Sequence, residues 1–199
     1  MNISVFASHN GTNLQAIIDA VESGVLKARV AMVITNNSGS GAAARAKKHG
    51  IPLYHLSSAS HPDSAALDVA IVDALRTNGT DVVFLAGYMK KLGEQTLAAY
   101  RGRILNTHPA LLPKFGGKGM YGMHVHTAVV AAGERESGIS VHLVDGEYDT
   151  GRVLAQARVP VIPGDTADTL CERVMKRERK FIVEVLADIV AGNIALDIP

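Results

Sequence analysis

Apolar positions recur along the chain with two alternating periods. Ile3 to Ala7 is a short β-branched and aromatic run that predicts a strand, and the polar turn Ser8-His9-Asn10-Gly11 leads from it into a segment with Leu14, Ile17, Ile18 and Val21 on one helical face. Thr12 is the expected N-cap of that helix, with Gln15 completing a capping box, and Gly24 lies just past its end. The unit then repeats. Val30 to Ile34 reads as a buried strand, Ala42 to Lys48 as a helix stopped by Gly50, Leu53 to Leu56 as a strand, Asp63 to Arg76 as a helix and Asp81 to Ala86 as a strand. A short helix near Glu94 to Tyr100 leads to a fifth strand, Arg103 to His108, ended by Pro109. Strands alternating with helices predict a parallel sheet covered on both faces.

After Pro109 the rhythm changes. Residues 109 to 123 hold two prolines, four glycines and few periodic apolar positions, which predicts a long loop of the kind that is usually functional in a compact domain. Val125 to Ala132 reads as a helix. Gly138 to Val144 and Arg152 to Val161 read as strands separated by Asp145-Gly-Glu-Tyr-Asp-Thr-Gly151, a connection too short for anything but antiparallel pairing. A helix from about Thr166 to Val190 closes the pattern. The expected fold class is α/β, a mostly parallel twisted sheet with helices on both faces and an antiparallel C-terminal strand pair, in one domain over 1–199.

Composition narrows the function classes. At 199 residues with 47% hydrophobic and 20% charged positions, the chain can bury roughly 70% of its unfolded surface and is not disordered in character. Twenty Lys and Arg against nineteen Asp and Glu are interspersed, so no basic stripe points to nucleic acid. A single cysteine, Cys171, excludes an intrachain disulfide and a Cys-based zinc site. No apolar run approaches the ~18 residues of a membrane span, and the first residues read as a strand rather than a signal peptide, so the expected location is cytoplasmic.

Chemistry concentrates at a few positions. On the fifth strand the period of two puts Ile104, Asn106 and His108 on one side, so an amide and an imidazole emerge at the carboxyl edge where open α/β sheets bind ligands. Asn106 capping the next loop and His108 as a satisfied structural histidine remain open alternatives. Asp149, between Gly146 and Gly151, is either a turn residue making its own backbone bonds or a carboxylate folded onto His108, where it would raise the ring's pKa above the ordinary ~6.5. Asn10-Gly11-Thr12-Asn13 opens a helix after a strand and forms a potential anion site. Gly39-Ser-Gly41-Ala-Ala-Ala44 fits a dinucleotide fingerprint but follows the second strand rather than the first. In the last helix Glu178 falls on the apolar stripe of Leu170, Val174, Phe181, Val185 and Ile189, so this inward carboxylate must meet a donor, a ligand or the core boundary. His124 and His126 are spaced by two and do not share a helical face, and His142 reads as a core or supporting residue; no metal is expected.

Asn106-Thr-His108-Pro-Ala-Leu-Leu-Pro113, with Ser140-Val-His142, Asp149-x-Gly151 and Asn10 to Gln15, resembles the folate-dependent formyltransferases over essentially the full length. The resemblance implies a Rossmann-like sheet and transfer of a formyl group from 10-formyltetrahydrofolate, as co-substrate, to the amine of glycinamide ribonucleotide, in a monomer or homodimer acting on small molecules. It implies Asn106, His108 and Asp149 as catalytic residues, with a protonated His108 as an oxyanion donor. Gly11, Thr12, Asn13, Leu14 and Gln15, with Met175 and Glu178, fall on its ribonucleotide site. Met89, Lys90, Lys91, Leu92, Asn106, Val144, Asp145, Gly146, Glu147 and Tyr148 fall on its folate pocket. Three departures stand out: His9 replaces a usual glycine, Ser64 replaces a basic residue, so that recognition of the glutamate tail is either weaker or uses Lys90 or Lys91, and the segment from Phe115 to His124 is long. A sister formyltransferase, a formyltetrahydrofolate hydrolase and a non-catalytic nucleotide-binding module are the alternatives.

Overall fold

The computed structural model describes residues 1–196, so the last three positions of the expected 1–199 domain lie outside the described residues. Strands and helices alternate from β1 (Asn2–Phe6) through α1 (Thr12–Glu22), β2 (Arg29–Thr35), α2 (Gly41–Lys48), β3 (Leu53–His55), α3 (Ser64–Thr77), β4 (Val82–Leu85) and α4 (Glu94–Ala99) to β5 (Ile104–His108). There follow α5 (Met123–Ala131), β6 (Glu136–Leu143), β7 (Val153–Pro160) and α6 (Ala167–Ala191). The seven strands form one sheet in the order β3-β2-β1-β4-β5-β6-β7. The pairs from β3 to β5 are parallel, while β6 runs antiparallel to both β5 and β7. The chain is thus a Rossmann-like α/β fold with its antiparallel strands at the C-terminal end.

The period of two sorts each strand between two cores. Ile3 and Val5 of β1, Leu105 of β5 and Val141 of β6 face α1, α2, α5 and α6; Phe6 of β1, Val83 of β4 and Ile104 of β5 face α3 and α4. Burial on both faces is what makes β1, β2 and β4 near-continuous apolar runs. Strand order reverses beside β1, and the crevice at the carboxyl ends of β1, β4 and β5 is the topological switch point.

Most element ends fall within two residues of the sequence expectation. The start of α1 differs in kind. Gly11, not Thr12, is the N-cap, in the left-handed region with φ 68°, and no side chain caps the helix. The cause is tertiary: a Cβ on Gly11 would stand 2.8 Å from the Ala42 Cα, so only glycine fits where α2 crosses the loop. Gln15 accordingly forms no capping box. A capping box is formed instead at the start of α6, between Thr166 and Thr169. Helix α5 begins at Met123 rather than Val125, so the long loop covers 109–122.

Candidate functional site

The antiparallel register of β6 against β5 sets Asn106 opposite His142 and His108 opposite Ser140. Asn106 Nδ2 donates to His142 Nε2 at 3.1 Å, and His142 Nδ1 donates to its neighbour's carbonyl, Leu143 O, at 2.8 Å, a tautomer that the network assigns. Asn106 therefore does not cap the following loop. His108 and His142 are 3% and 2% exposed. His108 Nε2 donates to Phe115 O at 2.7 Å, and its Nδ1 lies 3.4 Å from Asp149 Oδ2. Asp149 Oδ1 is 3.5 Å from His142 Nε2, and Asp149 Oδ2 accepts from Gly117 N–H at 2.9 Å. The turn between β6 and β7 thus folds back onto the β5 edge, and the carboxylate bridges two imidazoles and the long loop.

That loop is clamped at its start. Ser140 Oγ donates to Ala110 O at 2.7 Å and accepts from Leu112 N–H at 3.0 Å, and Gln156 Nε2 reaches both Leu112 O and Ser140 Oγ at 2.9 Å. Among the described residues two non-glycine residues adopt positive φ, Phe115 at 55° and Asp149 at 59°, and both are partners of His108. Backbone strain of order 1–3 kcal/mol each is retained where surroundings over-determine it, typically at functional sites.

Burial decides the charge of this cluster. It pushes the His108 pKa below its ordinary value, with the nearby His142 adding to that and the Asp149 charge and the Phe115 carbonyl opposing it. The sequence expectation of a pKa above ~6.5 is therefore corrected: Asp149 acts with the expected sign, but desolvation outweighs it. Burial also works to raise the Asp149 carboxyl, yet the close His142 ring, the Gly117 N–H and the positive charge that either histidine carries when protonated hold it below the usual value. The resting pair is a neutral ring beside a carboxylate.

Asn106 and Asp149 border a cleft of about 100 Å³ between the segment after β4 and the turn after β6. Lys90, Lys91, Leu92, Val144, Gly146, Glu147 and Tyr148 of the expected folate set line it. Met89 and Asp145 do not. Met89 donates its N–H to Ser8 Oγ at 2.9 Å, and Asp145 Oδ1 accepts from Glu147 N–H and Thr150 Oγ1 within its own turn. Leu85, Tyr88, Leu97 and His142 are lining residues that sequence reasoning did not assign here. Burial pushes the Tyr88 hydroxyl up to about 12. Lys91 Nζ meets Glu147 Oε1 at 3.5 Å, joining the two walls, and Ser64 is the first residue of α3.

On the other side of β5, Thr107 Oγ1 donates to Glu178 Oε1 at 2.9 Å, and Asn13 also hydrogen-bonds this carboxylate. The inward Glu178 therefore meets donors. Burial raises its pKa, and the bonds from Asn13 and Thr107 and the Arg179 charge only partly offset that. Met175 is exposed beside it on α6. Two residues of the expected ribonucleotide set are turned away: Leu14 is wholly within the core, and Gln15 is saturated. Its Oε1 accepts from Arg45 Nη1 at 2.7 Å, its Nε2 contacts Asp19 Oδ1 at 2.7 Å and His49 Nε2 at 3.3 Å, and its N–H donates to Gly11 O at 2.9 Å.

Gly41 of the fingerprint-like segment serves packing, since a Cβ there would stand 2.7 Å from Asn10 O. His124 is exposed against the Tyr121 ring, whereas His126 is buried with Nδ1 unpartnered and its pKa lowered by burial and by the His108 charge. Among the described residues no group of three or more His, Cys, Asp or Glu could hold a metal ion, and no helix is long and apolar enough to cross a membrane.

Residues 1–186 match the formyl transferase family. The chain is 44% identical over 188 residues to the chloroplastic phosphoribosylglycinamide formyltransferase of Arabidopsis thaliana, covering 94% of this chain and 64% of that protein. It is 37% identical over 196 residues to the phosphoribosylglycinamide formyltransferase of Escherichia coli strain K12, covering 98% and 90%. The crystal structure of the phosphoribosylglycinamide formyltransferase from Bacillus halodurans superposes with a TM-score of 0.87 at 35% identity, covering 96% of this chain and 95% of that one.

Proposed function

The chain belongs to the formyl transferase family, and from that membership we propose that it transfers a formyl group from 10-formyltetrahydrofolate to the amine of glycinamide ribonucleotide in purine synthesis. The observation that carries this reading is the group of Asn106, buried His108 and Asp149 at the switch-point edge, with Asn106 and Asp149 bordering a cleft on one side of β5 and Glu178 bonded to Thr107 on the other. We place the activity in one cytoplasmic domain spanning 1–199, a monomer or homodimer that acts on small molecules without nucleic acid, membrane or metal.

The amine attacks the formyl carbon, a C–N bond forms, and the formyl oxygen becomes an oxyanion. Asn106 spends one amide hydrogen on His142, which fixes the side chain, and its second is free to donate to that oxygen. A donor so placed is worth about 3–4 kcal/mol in the transition state. The attacking nitrogen must then lose a proton. A neutral His108 can accept it, and Asp149 stabilises the imidazolium as it forms. The same proton passes to the folate nitrogen as its bond to the formyl carbon breaks. For Nε2 to act as the base, the Phe115 carbonyl must release it and the ring proton must sit on Nδ1, toward Asp149, because in the tautomer bonded to Phe115 the lone pair lies on Nδ1.

Incubating the purified protein with both substrates tests the reading. Formylated ribonucleotide and tetrahydrofolate should appear in equal amounts. Formate released without need of the ribonucleotide would replace transfer by hydrolysis.

A further inference from the structure

Arg45 stands in an electrostatically odd place. Its Nε donates to Asn10 O at 2.9 Å and its Nη1 to Gln15 Oε1 at 2.7 Å, so the guanidinium is fixed against the loop that opens α1. The positive end of a helix dipole repels a cation. Its two acceptors are neutral: α1 carries no acidic residue in its first turn, and among the described residues no carboxylate pairs with Arg45. The neighbouring acids are engaged elsewhere, Asp19 by Gln15 and Glu22 by His49. The close approach that brings α2 to the loop requires glycine at both Gly11 and Gly41. An unneutralised cation held rigidly beside a helix N-terminus costs stability in the free protein and gains when an anion arrives.

Resting on the function proposed above, we infer that Arg45 is the residue through which this protein selects a phosphorylated ribonucleotide, its fixed charge reinforcing the N–H groups of Gly11 to Asn13 against the substrate's phosphate. Gln15 then has a defined part. It does not touch the substrate but holds the guanidinium, with His49 holding Gln15 in turn. Among the described residues no hydrogen bond is made by Nη2, which leaves it free to donate to an anion.

The alternative is a clip that merely ties α2 to the Asn10 loop, and the substrate's own phosphate separates the two. Formyl transfer is measured for wild type, Arg45→Gln and Arg45→Lys on glycinamide ribonucleotide and on the same glycinamide nucleoside without its phosphate. Arg45→Gln should raise the ribonucleotide KM on the order of tenfold with little change in kcat, Arg45→Lys should fall between, and the penalty should vanish on the nucleoside. An equal loss on both substrates, or an unchanged ribonucleotide KM, overturns the inference. Should the wild type transfer no formyl group at all, the functional reading fails by itself. Binding of ribose 5-phosphate by calorimetry then decides on Arg45: weaker binding in Arg45→Gln supports it, and equal affinity or no binding to either protein refutes it.

Discussion

The two sides of β5 solve their problems differently. The Glu178 side is assembled from the start of α1, one residue of β5 and the middle of α6, and its groups are hydroxyl, amide and carboxylate partners already bonded to one another. The His108 side is assembled from β5, an antiparallel neighbour and two loops, and it holds two buried imidazoles, a mostly covered carboxylate and two residues at strained positive φ. One side is a set of paired polar groups, none of them on a residue at positive φ. The other stores strain and a titratable pair, and a change of charge there is felt by every member.

That contrast predicts where substitutions act. His108→Ala and Asn106→Ala should each lower kcat on the order of 100-fold or more with the fold intact, because each removes transition-state interactions at a strand end and little core. Near-normal turnover in either variant would take that residue out of the chemistry.

Asp149→Asn should follow, with kcat reduced roughly 10- to 100-fold and KM values nearly unchanged. Asp149 is the charge that raises the His108 pKa against burial, so its loss should push that pKa lower still. Titration of His108 by NMR in both proteins reads this directly, and identical curves would uncouple the pair.

On the opposite side, Glu178→Gln should raise the ribonucleotide KM about tenfold and leave the folate KM alone. The stability sign is opposite to that of an ordinary ion pair. A carboxyl whose folded pKa is raised costs stability above that pKa, and the cost disappears as pH falls through it toward the unfolded value of ~4.3. At neutral pH the Gln variant should therefore melt no lower than wild type, and a markedly lower Tm would make Glu178 a structural keystone instead.

A smaller effect concerns acid stability. His108 and His126 both have folded pKa values below ~6.5, so stability is complete above that value and declines as pH falls from there through the folded pKa values. Melting curves between pH 7.5 and about 5 should show that decline, reduced in His126→Gln. The smallest expected effect is none: exhaustive chelation should leave formyl transfer unchanged, and activity that returned only on adding zinc would overturn the metal-free mechanism.

Much of the fold was legible in the chain because alternation and helical periodicity are local. The βα repeats, the short turn that forces β6 and β7 to be antiparallel, and the inward Glu178 all follow from positions a few residues apart. The same locality placed Asn106 and His108 together at a carboxyl edge. Tertiary structure decided the rest. The N-cap passed from Thr12 to Gly11 because α2 lies against the loop, a contact between residues 31 positions apart. His142 became the partner of Asn106 only through the register of β6 on β5, and the Phe115 carbonyl reached His108 only through the path of a long loop. The charge of His108 was likewise out of reach: a sequence shows which carboxylate can neighbour a ring, but burial outweighed that carboxylate, and how far a ring is withdrawn from water depends on every element packed around it.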